Sequence, residues 1–184
     1  MIGFVQGWGL TALMLVVITL VFAGALLHLA GELRWVRALT DYLGAELVGD
    51  PASRRGGGLD VEAIRDDAHA VWTAADPAWA QKQVRSWQMR TLRLEPSLAF
   101  WVDLLRQLGL LGTVLGLGLS LAVAKGEPGA LLGPLALAVW TTIAGLGFSI
   151  VLTSVYGMRL TAWVDACEKN LEAWDTRRRA RHEA

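Results

Sequence analysis

RQLGLLGTVLGLGLSLAVAK (residues 106–125) is the stretch that decides the fold. Between its terminal cations lie 18 residues with no Asp, Glu, Lys or Arg. A helix rises about 1.5 Å per residue, so roughly 20 such residues cross the hydrocarbon core of a bilayer. Two longer charge-free runs stand on either side, residues 1–31 and 128–158, each 31 long. Residues 98–105 lengthen the middle run, interrupted only by Asp103 and then Arg106. Buried helices of a soluble bundle usually keep one charged face, and these keep none. The expectation is an all-α integral membrane protein with three transmembrane helices.

The totals agree. Of 184 residues, 54% are hydrophobic and 18% charged, below the roughly 25% of an ordinary soluble domain. Mean hydropathy is +0.41. Lys plus Arg number 17 and Asp plus Glu 17, a balance that argues against binding nucleic acid by neutralising phosphates. The single cysteine, Cys167, excludes a disulfide framework and a multi-cysteine metal site. His28, His69 and His182 lie far apart with no ligand spacing, so neither metal nor cofactor is expected.

The basic residues set the orientation. Nine Lys and Arg lie in residues 32–95 and six lie beyond residue 158, against Lys125 alone in the short loop between spans two and three. The positive-inside rule puts the N-terminus outside and the long segment and the tail in the cytoplasm. A signal peptide would want a positive n-region before the first span, and residues 1–9 have no positive side chain; a retained anchor is the preferred reading. The expected organisation is a first span over 1–31, a cytoplasmic helical segment over 32–98, spans two and three over 99–158, and a cytoplasmic helix and basic tail over 159–184.

Within the cytoplasmic segment, residues 32–47 continue the first helix and residues 48–58 (VGDPASRRGGG) break it. Residues 59–75 read as a helix with Val61, Ile64, Ala68 and Trp72 on its apolar side. Asp76-Pro77 starts the next helix, an N-cap followed by a proline suited to the first turn. That helix is expected to reach about Leu94, with a second break at Glu95-Pro96-Ser97. Trp8, Trp35 and Trp101 fall near expected membrane interfaces, where Trp anchors helices. His28 is read as an interfacial residue rather than a proton relay, and Trp140, deeper in span three, as packing between helices rather than a bulky element near an internal path.

Spans two and three each carry a small, polar stripe. In span two, Gly109, Thr113, Gly116 and Ser120 recur at steps of four, three and four, with Gly112 flanking them and Leu110, Leu111, Val114, Leu115 and Leu117 opposite. In span three, Ala138, Thr142, Gly145, Ser149, Thr153 and Tyr156 form the second stripe, with Thr141 one residue off it. Small residues let membrane helices approach closely, and hydroxyls bond across such contacts. Helix packing through Gly109, Gly112, Gly116 and Gly145 is one reading. The other is a polar interior shared by several subunits, lined by Thr113, Thr142, Thr141, Ser149 and Ser120. No span holds a carboxylate at depth. An ion path needs one, so it would come from another chain.

Leu108-Gly109-Leu110-Leu111-Gly112-Thr113-Val114-Leu115-Gly116 resembles the GLLGTVxG signature of the MotA/TolQ/ExbB proton-channel family. Ala138-Val139-Trp140-Thr141-Thr142-Ile143-Ala144-Gly145-Leu146 is similar to that family's third-span motif, and the order of spans resembles the three-span ExbB/TolQ layout. The resemblance implies a homopentamer in the bacterial inner membrane around a dimer of a single-span ExbD/TolR/MotB-like partner that carries the membrane Asp. It implies that Thr113 and Thr142 line the path beside that Asp, and that ion flow turns the ring; the three-span layout favours protons, although threonine hydroxyls could serve sodium as well. No cofactor and no enzymatic activity are expected. One departure stands out: aligned on Thr142, Leu137 occupies the place where ExbB-type chains have a Glu.

In the tail, Leu160, Val164, Cys167, Leu171 and Trp174 step by four, three, four and three. Such a seam suits either self-association below the membrane or packing on Trp72 or Trp87. The Arg177–Arg181 cluster is read as a solvated positive-inside signal or a contact with anionic lipid. A non-conducting membrane scaffold that recruits other proteins is the rival function. An intramembrane enzyme is disfavoured because no Ser–His, Asp–Asp or metal constellation lies at depth.

Overall fold

The computed structural model describes residues 2–48, 59–123 and 129–183. Their elements, in order, are α1 (Ile2–Val48), α2 (Leu59–Thr73), α3 (Pro77–Leu92), α4 (Leu94–Val123), α5 (Gly129–Leu152), a π-helical turn (Thr153–Gly157) and α6 (Met158–Glu183). No strand occurs among the described residues. Three helical stretches are long and apolar enough to cross a membrane: Ala12–Leu47, Pro77–Leu119 and Ala138–Arg181. The all-α, three-span fold class read from the charge-free runs is the fold observed. The break expected over residues 49–58, and Lys125 in the loop between spans two and three, lie outside the described residues.

The chain divides into two compact units, residues 1–28 with 97–157, and residues 29–96 with 158–184. The second unit is a helical bundle with a continuous apolar core. Val36, Leu39 and Leu43 come from α1, Ile64, Ala68 and Val71 from α2, and Ala80, Val84 and Trp87 from α3. The α6 seam supplies Leu160, Val164, Cys167, Leu171 and Trp174, none more than 6% exposed. Every contributing stripe runs at alternating steps of three and four, so each helix turns one face inward. Trp174 is the keystone: its ring centroid lies 5.3 Å from that of Trp72 and 6.3 Å from that of Trp87. Of the two occupants weighed for the seam, the chain's own loop helices take it. That leaves these five side chains no surface for a neighbouring subunit.

Polar clasps fasten the edges of this bundle. Arg90 holds Glu32 with two hydrogen bonds, 3.0 and 3.1 Å, and lies 4.1 Å over the Trp35 ring. Trp35 is thus a stacking platform in the second unit. Asn170 donates to the Thr40 carbonyl at 3.2 Å. Gly44 makes room for this approach, because a Cβ there would lie 3.3 Å from Asn170 Nδ2.

The basic tail is not a free cluster. Arg177 donates to the Leu47 carbonyl at 2.6 Å, satisfying an acceptor in the last turn of α1, where a cation is favoured. Arg178, 4% exposed, pairs with the buried Asp175 at 3.0 Å. Arg179 binds the same carboxylate. Arg181 lies 5.7 Å over Trp72. The solvated-tail reading is corrected for the buried Arg178; Arg177, Arg179 and Arg181 remain exposed, although each has a partner in the same unit.

The start of α3 follows its sequence signal. Asp76 accepts from the Ala78 amide at 2.9 Å, and Pro77 fills the first helical position. The second break lies about two residues earlier than expected. Arg93 caps α3 in an αR conformation, and α4 begins at Leu94 with Glu95 and Pro96 inside its first turn. Proline is compatible there because the first amides of a helix have no intrahelical acceptor. Span three runs on into the tail helix without a break, through the π-helical turn at Thr153–Gly157.

Two predictions test the second unit. Trp174→Ala should cost about 3–5 kcal/mol, the range for a buried Trp truncation. It should also accelerate amide exchange in α2, α3 and α6, read by hydrogen–deuterium mass spectrometry. Burial raises the pKa of the Cys167 thiol, against the lowering effect of hydrogen bonds from Thr40 and Thr91. The thiol should therefore resist maleimide at neutral pH in the folded chain and react promptly in denaturant, as the thiolate is the nucleophile.

Candidate ion pathway

The first unit brings α1, α4 and α5 together. Phe22 of α1 stacks on Phe148 of α5, with centroids 4.3 Å apart and planes 8° from parallel. Ile18 and Ala25 of α1, Leu105 of α4 and Leu152 of α5 are buried. Near one end of the unit, Ser97 Oγ lies 3.4 Å from His28 Nε2, and Trp101 lies 6.1 Å from the same ring. His28 and Trp101 therefore sit together, whereas the side chain of Trp8 lies outside the described residues.

The closest contact is between α4 and α5, and glycine makes it possible. A Cβ on Gly145 would stand 2.6 Å from the Leu105 carbonyl oxygen and 2.8 Å from Gly109 Cα. One on Gly109 would stand 3.2 Å from the Thr141 carbonyl oxygen and 3.3 Å from Gly145 Cα. Both clashes are with backbone, which cannot move aside cheaply. Gly112 differs: its added Cβ would meet the Thr141 side chain, 2.7 Å from Cβ and 3.1 Å from Cγ2. Gly116 is half-buried further along α4.

This approach sets the positions of the hydroxyls. Thr141, 2% exposed, fills the space that Gly112 leaves and donates to the Ala138 carbonyl at 2.9 Å. Thr113 and Thr142 are half-buried and hydrogen-bond to each other across the two helices. Thr113 Oγ1 also lies 3.2 Å from the Gly109 carbonyl oxygen and 3.3 Å from that of Ala138. Thr142 Oγ1 lies 3.3 Å from each of the same two carbonyls. Each hydroxyl has one proton, so these contacts are alternatives. One threonine donates to the other, which donates to a carbonyl, and rotation of the O–H groups reverses the order.

The sequence put Thr142 on the stripe and Thr141 just off it. The structure makes Thr141 the enclosed residue and Thr142 the one at the seam's margin. Ser149 is also enclosed, 2% exposed, and donates to the Leu146 carbonyl at 2.8 Å. The two stripes therefore meet each other within a single chain, and Thr141 and Ser149 do not face an open interior of this chain. The side chains of Ser120 and Leu137 lie outside the described residues.

The apolar residues opposite the span-two stripe, Leu110, Leu111, Val114, Leu115 and Leu117, are exposed. Trp140 is a correction. It is 61% exposed on α5 and does not pack between this chain's own helices. Residue 140 precedes the buried Thr141 and follows the buried Ala138 by two, so it turns away from the seam.

The glycine seam, the threonine pair and the two helices that carry them, α4 and α5, fall within residues 76–173, which match the MotA/TolQ/ExbB proton channel family. The match covers more than half of the chain. The chain belongs to the MotA/TolQ/ExbB proton channel family. It is a multi-pass membrane protein of a family of channels, not of enzymes. No curated protein and no solved structure matches it. The matched region runs from the Asp76 cap of α3 to the residue before Trp174, so it also takes in most of the α6 seam.

The glycines should respond differently to alanine. Gly145→Ala should cost about 1–3 kcal/mol by overpacking, without relief from any single side-chain change. Gly112→Ala should be disruptive alone and largely rescued by Thr141→Gly but not by Thr141→Ala, because its clash reaches the Thr141 Cβ, 2.7 Å away, which alanine keeps. Gly147→Ala, which meets nothing within 4 Å, should be silent. Thermal unfolding of the detergent-solubilised chain reads all three.

Proposed function

We propose that this chain is the ring-forming subunit of a motor driven by the proton-motive force in the bacterial inner membrane. Five copies surround a dimer of a single-span ExbD/TolR/MotB-like partner, and that partner supplies the carboxylate the spans of this chain lack. The N-terminus is outside, and the segment between spans one and two and the tail are cytoplasmic, following the distribution of Lys and Arg. The observation that carries the reading is the Thr113–Thr142 hydroxyl pair at the margin of the α4–α5 seam, in a chain of a proton-channel family.

The chemistry follows from that pair. Two hydroxyls that can donate to each other or to the Gly109 and Ala138 carbonyls offer a proton both an acceptor and a donor without any charge of their own. Such a site is inexpensive to hold in hydrocarbon, where a resident carboxylate is costly. Facing the partner's Asp, it solvates the proton-transfer step. Thr141 and Ser149 hold the seam that presents the pair, and Ser120, the next step of the span-two stripe in the sequence, is assigned to the same path. Moving one charge across 100 mV releases about 2.3 kcal/mol, the energy available for each rotational step.

The test is co-expression with a single-span partner encoded nearby, followed by purification and proton-flux measurement in vesicles. Thr113→Val with Thr142→Val should leave the complex intact and lower flux at least about tenfold, the loss of about 1.4 kcal/mol of stabilisation. Unchanged flux, or failure of any single-span partner to co-purify, would favour a non-conducting scaffold instead.

A further inference from the structure

The second unit sorts its unpaired charges by sign. Most charges near its bundle edges have partners: Glu32 with Arg90, Asp41 with Arg37, Asp175 with Arg178 and Arg179. On α2, the exposed Glu62, Asp66 and Asp67 have none among the described residues. On α3, the exposed Lys82, Arg85 and Arg93 likewise have none. Residues 77–93 contain no acid at all. On α6 the exposed charges are mixed, with Asp165, Glu168 and Glu172 beside Lys169.

Helix dipoles account only for Glu62, in the first turn of α2, and Arg93, at the C-cap of α3. An acid is favoured in the first turn and a base in the last. Asp66 and Asp67 are mid-way along α2, and Lys82 and Arg85 mid-way along α3. Glu62 and Asp66 are four apart on one face of α2, with Asp67 flanking them, and Lys82, Arg85, Met89 and Arg93 step by three, four and four along one face of α3. The basic face also exposes Trp79 at 41% and Met89 at 47%, residue types that anchor interfaces when covered. Although α2 and α3 are neighbours in one unit, the two sets do not pair within the chain.

We infer that the acidic face of α2 on one subunit docks against the basic face of α3 on the next copy of this chain. The occupant is a second copy because each chain carries both complementary faces, three acids against three bases. A head-to-tail contact between unlike faces is the kind that closes a ring. An anionic lipid surface would suit the basic face alone and leave the acids of α2 unneutralised. Charges at such a contact set register and encounter rate, and covering Trp79 adds apolar burial. The inference rests on the ring proposed above and names the surface through which its subunits meet outside the span helices.

The experiment uses the full chain in native membranes. With Asp66→Cys and Arg85→Cys together, mild oxidation should give a ladder of covalent oligomers, and each single variant should give none. Lys82→Glu with Arg85→Glu should weaken subunit association about tenfold, and adding Asp66→Lys with Asp67→Lys should restore it, since double reversal recreates the pairs. Native mass spectrometry reads both, and unchanged thermal unfolding shows that the exposed substitutions spare the fold. Rings that form in the parent chain yet show neither cross-link nor charge rescue would overturn this inference alone. A parent chain that forms no ring would overturn the ring reading beneath it. Insertion of a dye at position 79 into anionic lipid, with assembly unaffected by the reversal, would assign the basic face to the membrane and overturn the docking.

Discussion

Everything in the membrane unit depends on how closely the backbones of α4 and α5 approach at Gly109, Gly112 and Gly145. In hydrocarbon there is no hydrophobic force to drive helix on helix, so close van der Waals contact and shared hydrogen bonds must hold them. The glycines permit contact at a distance that a single added carbon would block. At that distance Thr113 reaches Thr142, and each hydroxyl reaches a carbonyl of the opposite helix. A wider crossing would leave each threonine bonded only to its own helix, and the pair would not exist. Packing and the candidate proton site are therefore the same contact, seen from its enclosed side at Thr141 and its half-open side at Thr113 and Thr142.

The second unit obeys a different rule. Its core is apolar side chains from four helical segments closed around Trp174, the arrangement expected where water supplies the driving force. Its charges are correspondingly numerous and mostly placed at the margins. The exceptions are Asp175 and Arg178, which are buried and paired; removing one partner of such a pair leaves an uncompensated charge. The same six bases that were counted as an orientation signal include one that caps α1 and one that stacks on Trp72. A positive-inside bias and a structural role are compatible in one side chain.

Legibility differed by the range of the interaction. The Asp76-Pro77 helix start, the α6 seam and the leucine face of span two were readable because each is set by residues within a few turns. The clasp of Glu32 by Arg90, 58 residues apart, had no local signal. Asp175 and Arg178 had one, the i,i+3 spacing on a helix, but nothing in that spacing says the pair is buried. The break before α4 was misplaced because proline interrupts a helix interior and suits a first turn, and the sequence does not say which turn it is in.

The sequence by itself determined that the chain is helical, that it crosses a membrane three times, and that its spans bring hydroxyls and glycines but no carboxylate. Those properties follow from composition along a run and from helical period, which are local. The tertiary structure decided which of two adjacent threonines is enclosed, that Trp140 turns outward, and that the tail seam is filled by the chain's own tryptophans. Helical period places residues on a face to within about one position, roughly 100° of arc. Only the partner helix, and how near its backbone can come, determines where on that face the contact falls.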